Sequence, residues 1–126
     1  MNLAEIKLAI DAGKQFNTIR LNKQTSTINQ YLDKVELSFE ELTKDGELKE
    51  KFKILYEGKE FNKLSNSERI KAGLEISNLI SNVMNVKIPV FVDDSESITV
   101  VKQLDTQMIL TKVVKGLLEI KVEVIE

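Results

Sequence analysis

The sequence of 126 residues contains no cysteine and no histidine. Without cysteine the chain has neither a disulfide framework nor a thiolate nucleophile. Without histidine it lacks the usual general base near neutral pH and the commonest zinc ligand. Thiol catalysis, Ser-His-Asp catalysis and histidine-containing zinc sites are therefore excluded.

An excess of charge of one sign and a long apolar run are also missing. The 18 basic and 20 acidic residues give a net charge of -2, too balanced to mark a nucleic-acid or membrane surface by charge alone. Residues 1–12 carry Glu5, Lys7 and Asp11 among their apolar residues, which excludes a signal peptide and a membrane span. We expect one globular unit in the cytoplasm, with no membrane partner.

A phosphate-binding loop is the third absence. The pattern Gly-x4-Gly-Lys-Ser/Thr occurs nowhere in the chain. Its two Gly-Lys pairs, 13–14 and 58–59, are followed by Gln15 and Glu60 and lack the upstream glycine. The chain alone therefore cannot be a complete nucleotide-hydrolysing enzyme.

Apolar residues at three- and four-residue steps predict a long helix from Asn2 to about Tyr31. The polar stretch 22–30 weakens its apolar face, so a break or a solvated turn there is one interpretation. The helix is either amphipathic and packed on the domain or the end of a coiled-coil arm. We divide the chain into an N-terminal helical segment, 1–33, and a lobe, 34–126.

Period-two alternation predicts a strand over 34–42 and another over 52–56, joined by turn residues at 44–46 as an antiparallel hairpin. Ser65 followed by Glu68 and an apolar run is a capping box, which predicts a helix that ends near Asn85. The continuous apolar run 88–92 is typical of a central strand covered on both faces.

The remaining strands are predicted over 108–114 and 117–125, as a second hairpin with its turn at Lys115 and Gly116. The element order then predicts an α/β fold at the border of α+β. It would have one mixed β-sheet and one crossing helix after Ser65.

Two motifs are separated by a predicted helix that is long enough to cross one sheet. They are Leu-Ser-Asn-Ser-Glu-Arg at 64–69 and Val-Phe-Val-Asp-Asp at 90–94. Their order and spacing resemble the signature motif and Walker B strand of an ABC-type ATPase head. The runs 64–76 and 88–98 are most similar to the SMC-like DNA-repair and chromosome-maintenance branch, especially to coiled-coil ATPases of bacterial and phage-derived genomes. The resemblance covers the chain from about Val35 onward and implies the C-terminal lobe of a P-loop NTPase.

The resemblance implies roles for seven residues. Ser65, Asn66, Ser67 and Glu68 would belong to the signature region that meets the γ-phosphate of ATP held by an opposite protomer. Asp93 would hold a magnesium ion through water, and Asp94 would activate the attacking water. Lys112 takes the place of a phosphate-sensing histidine. ATP and Mg²⁺ are therefore expected in the complete head, and none bound to this chain alone.

Each of these features also has a purely structural interpretation. Ser65 and Glu68 can simply cap a helix. The run 93–95 is ordinary turn composition, and Lys112 can simply be solvated. Asn66 and Ser67 replace the glycines usual in the family, and Asp94 replaces its usual glutamate.

Three hypotheses about the function follow. The first is half of an ATPase head, inactive until a Walker A half or a second protomer joins it, with DNA reached through the full assembly. The second is a non-enzymatic interaction or scaffold module that keeps a degenerate ATPase lobe. The third is DNA binding through the sparse basic residues of the first helix, Lys7, Lys14, Arg20 and Lys23. Severing half a sheet would expose apolar strand surface, so self-association is expected as well.

Overall fold

The computed structural model describes residues 2–125 and has a mixed α+β architecture. Its elements in chain order are α1 (Leu3–Asn29), β1 (Val35–Leu42), β2 (Leu48–Tyr56), β3 (Lys59–Glu60), α2 (Asn66–Met84), β4 (Val90–Val92) and β5 (Met108–Leu110). Short 3-10 turns lie at Phe61–Lys63 and Ser95–Ser97. Neither long helix in this part of the chain combines the length and apolar character that a membrane crossing requires.

Helix α1 is continuous through the polar stretch where a break was one interpretation. The hydroxyls of Thr25 and Thr27 donate to the carbonyls of Leu21 and Lys23, four residues back. Such bonds satisfy the polar side chains without interrupting the helix. No residue of α1 is buried, and the exposed side chains include Phe16, so the helix is not packed along its length.

The antiparallel hairpin was predicted correctly, although β2 begins earlier than expected. Val35 faces Tyr56 at the base of the β1–β2 ladder, and the register shifts between Ser38 and Glu40. The turn is closed by Gly46, whose φ of +78° favours glycine and whose N–H donates to the Thr43 carbonyl. Strand β3 adds a short antiparallel edge to β2.

Helix α2 contributes to both core clusters. The cluster against the antiparallel sheet consists of Val35, Leu37, Tyr56, Leu64, Ala72 and Leu79. The cluster against the parallel pair consists of Leu74, Val92 and Leu104. The helix therefore lies between the hairpin and the β4–β5 pair, and each of its two apolar faces packs on a different sheet.

The side chain of Glu75 fixes the junction between α1 and β1. Glu75 is 7% exposed, and its carboxylate accepts the backbone N–H groups of Asp33, Lys34 and Val35 at 3.1 Å each. Sequence analysis did not single out this residue. Its signal was an acid between Leu74 and Ile76 in an otherwise apolar stretch of α2.

Four strand predictions were wrong. The strands form two separate sheets, not one mixed sheet, because α2 separates the hairpin from the parallel pair. Strand β4 is not covered on both faces, since Phe91 is 72% exposed. The strand predicted over 108–114 ends at Leu110, and the run 117–125 forms none. A turn does lie at Lys115 and Gly116, but alternation alone makes no strand without a neighbouring edge.

Candidate functional site

The start of α2 is the first half of the candidate site, and its capping box is confirmed. The backbone N–H of Glu68 donates to Ser65 Oγ at 3.3 Å, and the N–H of Ser65 donates to Glu68 Oε2 at 2.9 Å. The Ser67 hydroxyl lies 3.4 Å from that of Ser65. Capping therefore already occupies the Ser65 hydroxyl and the Glu68 carboxylate.

Glu68 is also paired with a residue that sequence analysis missed. Lys59 Nζ in β3 lies 2.8 Å from Glu68 Oε1. The Lys59 ammonium, followed by the Ser65 N–H and hydroxyl, lowers the pKa of Glu68 to about 2. Glu68 is thus a negative charge paired with a lysine of a neighbouring strand and with its own helix cap.

The end of β4 is the second half of the site, and Asp93 lies there beside β5. Asp93 Oδ1 accepts the Thr111 hydroxyl at 2.6 Å and the backbone N–H of Asp94 at 2.9 Å. These two donors, the hydroxyl first, lower the pKa of the Asp93 carboxyl. Thr111 is a second residue that sequence analysis missed; its signal was its place at the end of the strand next to the acids.

Asp94 adopts the left-handed conformation, with φ of +55°, and its side chain bonds to other partners than that of Asp93. Its Oδ2 accepts the Ser97 hydroxyl at 2.7 Å. The same oxygen accepts the side-chain amide of Asn66, which also donates to Ser97 Oγ at 3.1 Å. Asn66, Asp94 and Ser97 therefore form a closed group that joins the two motifs.

The loop after β4 is held against the residues that follow β5. The N–H of Ser95 donates to the Thr111 carbonyl at 2.9 Å, and the N–H of Val113 donates to Glu96 Oε1 at 3.1 Å. These bonds hold the acids beside the end of β5.

The structure unites some of the predicted site residues and leaves one apart. Asn66 and Asp94 are in contact, while Ser65, Ser67 and Glu68 lie in the adjacent turn of α2. Lys112 is exposed, and no hydrogen bond or ion pair joins its side chain to another residue of 2–125. Within the same range, no three acidic side chains converge as a metal cage.

No protein-family model, curated protein or solved structure matches the chain.

Proposed function

We propose that this chain supplies the signature and Walker B lobe of an ABC-type ATPase head of the SMC-like DNA-repair and chromosome-maintenance group. A P-loop lobe from outside the sequence described would complete the ATP site. The observation that carries the proposal is the contact between Asn66 and Asp94, which puts both motifs at one edge of the fold.

The start of α2 suits an anion. Its first N–H groups carry the positive end of the helix dipole, and phosphates bind at such helix starts. Ser65, Asn66 and Ser67 are the residues that would meet a γ-phosphate held by the P-loop lobe. A phosphate at Ser65 would have to replace the Glu68 carboxylate there, because the Ser65 hydroxyl accepts the N–H of Glu68 and donates to Glu68 Oε2 at 3.1 Å.

The end of β4 suits a magnesium ion bound together with phosphates. In nucleotide sites Mg²⁺ is held by one or two carboxylates, waters and phosphates and not by a cage of protein ligands. Asp93 supplies one ionised carboxylate, and both of its hydrogen bonds from the described residues fall on Oδ1. Oδ2 would therefore face the ion, which neutralises charge on the phosphates when it is bound.

Asp94 is constrained in the role of water-activating base. A carboxylate oxygen has two lone pairs, and Oδ2 already accepts bonds from Asn66 and Ser97. Only Oδ1 is left to orient a water. We therefore propose that the complete head hydrolyses ATP slowly.

The first experiment uses the purified chain. With ATP and Mg²⁺ we expect no turnover above a protein-free control, because the sequence contains no P-loop to cradle the β- and γ-phosphates. Turnover that Asp94→Ala abolishes would overturn the proposal.

The second experiment supplies the missing lobe. The reading frame directly upstream of Met1 is expected to encode a P-loop and heptads, and its product is mixed with this chain. We expect Mg²⁺-dependent binding of a fluorescent ATP analogue, lost in Asp93→Ala. The matched control is Asp105→Ala, at an exposed acid in the loop before β5. An upstream frame without a P-loop, or a mixture that binds no better than its parts, would refute the proposal.

One observation favours a non-enzymatic scaffold module as the second candidate function. Asn66 and Ser97 hold Asp94 where a catalytic carboxylate would need freedom, and Asn66 stands where the family has glycine. In a scaffold module this group would simply fasten α2 to the loop after β4. Mg²⁺-dependent ATP binding in the mixture distinguishes the ATPase lobe from the scaffold.

A further inference from the structure

The segment 117–125 contains the most exposed apolar side chains of the described chain. Leu118, Ile120, Val122 and Val124 are 98%, 97%, 84% and 88% exposed. They alternate with Glu119, Lys121 and Glu123. Lys121 Nζ lies 2.7 Å from Glu123 Oε1, so these two charged side chains lie on one side of the chain. Among residues 2–125, no strand pairs with this segment.

The segment has the pattern of a strand without a neighbour. Between residues 118 and 124 one face is apolar and the other is charged, which is the pattern of a half-buried strand, and Leu117 and Ile125 flank the charged face. Its backbone N–H and C=O groups can therefore form a ladder with a strand of another chain. The turn at Gly116, with φ of +85°, separates the segment from β5 and limits any pairing to the residues after it.

We propose that a second copy of this chain covers the segment, with the two segments paired as antiparallel strands centred on Ile120. In this register Ile120 faces Ile120 of the second copy, and Leu118 faces Val122. Glu119 faces Lys121 at two symmetric positions. These two charge pairs are complementary, and the apolar side chains at 118, 120 and 122 lie on one common face, while Glu123 faces Leu117.

Other registers are worse for charge or size. In a parallel in-register pair every charged side chain faces a charge of the same sign. An antiparallel pair centred on Lys121 puts Glu119 opposite Glu123 and Lys121 opposite itself. A slip by one residue puts apolar side chains on the charged face of the partner. A pair centred on Val122 also keeps opposite charges together, with Lys121 facing Glu123, but it pairs the smaller apolar set Ile120, Val122 and Val124 instead of Leu118, Ile120 and Val122.

The first test is the mass of the full chain in solution, measured by light scattering over a wide range of concentrations. We expect it to rise from 14.3 kDa at low concentration towards twice that value. Two paired strands alone are marginally stable, so the dimer is expected at high concentration. Ile120→Lys, which opposes two lysines at the centre, is expected to remain monomeric. Val100→Lys, the same change at an exposed valine outside the segment, is the control and should still dimerise.

Charge exchange tests the register. Glu119→Lys alone and Lys121→Glu alone each place like charges opposite one another and should weaken dimerisation at least tenfold. The double variant carrying both changes restores two opposite pairs and should dimerise like the parent. An equimolar mixture of the two single variants should form the heterodimer.

Three results would overturn the proposal. They are a constant mass of one copy at every concentration, a dimer that survives Ile120→Lys, and a double variant that fails to recover association. A segment that instead pairs with another protein would give the first of these. Because the assay contains no nucleotide, its outcome is independent of the proposed ATP site.

Discussion

The carboxylate of Glu75 accepts the backbone N–H of Val35 at 3.1 Å, although 40 positions separate the two residues. The same group accepts the N–H groups of Asp33 and Lys34. These three donors follow Leu32, whose N–H still donates to the Asn29 carbonyl at the end of α1. A side chain in the middle of α2 therefore accepts the backbone N–H groups that lead into β1, which a local turn would otherwise have to satisfy.

Glu75→Gln is expected to destabilise the fold. Glutamine keeps the size of the side chain but removes the charge and one acceptor oxygen, which leaves a buried N–H without its partner. Hydrogen bonds to charged groups contribute about 1.5–3 kcal/mol, and we expect a loss of that order in urea unfolding at neutral pH. The control is Glu36→Gln at an exposed position of β1, expected to change stability by less than about 0.5 kcal/mol. Equal midpoints for the two variants would contradict this role of Glu75.

Ser65→Ala is expected to weaken α2 at its start. The change removes the oxygen that accepts the N–H of Glu68, at a cost of about 0.5–2 kcal/mol in the free energy of unfolding. The comparison is Ser81→Ala in the last turns of the same helix, where no cap is lost. If both serines tolerate alanine equally in thermal unfolding, the capping box contributes nothing to stability.

Acid should loosen the pair between Lys59 and Glu68. The folded-state pKa of Glu68, about 2, lies below its ordinary value of 4.5. The stabilisation from this carboxylate is therefore fully present above pH 4.5 and is lost as the pH falls towards 2. We expect Lys59→Met to raise the Glu68 pKa, measured from its carboxyl carbon chemical shift against pH. Lys44→Met, in the exposed hairpin turn, should leave the titration unchanged.

Removal of the Asn66 amide should loosen the loop after β4. The N–H groups of Ser97 and Ile98 donate to the carbonyls of Asp94 and Ser95, within a turn that the Asn66 bonds hold against α2. In Asn66→Ala these two amides are expected to exchange with deuterium faster than in the parent. Asn82→Ala, on an exposed part of α2, is the matched variant. Unchanged exchange at both amides would show that the loop is held by its own backbone bonds.

The sequence predicted most accurately those elements whose signals are local. Helix α2 begins after Ser65 and ends at Asn85, which adopts the left-handed conformation, because caps and end residues act within a turn of the helix. The β1–β2 hairpin follows for the same reason, since its turn and its alternation are contiguous.

Predictions that needed distant partners were less successful. The run 117–125 has the alternation of a strand, but a ladder requires an edge that the described residues do not offer it. The order of the two motifs predicted one site. The bond between Asn66 and Asp94, however, involves an Asp94 in the left-handed conformation, which no sequence pattern predicted. Thr111 and Glu75 act across 18 and at least 40 positions, beyond the range of any local signal.

Helix α2 shares its residues between the two core clusters, and this has a consequence for cooperativity. Neither cluster retains its apolar partners once α2 melts, so both should disappear in one transition on heating. The start of α1 belongs to neither cluster and can fray without disturbing them. The chain should therefore unfold in one main transition, preceded by fraying at the start of α1, and calorimetry and helical circular dichroism would diverge by the contribution of that part of the helix alone.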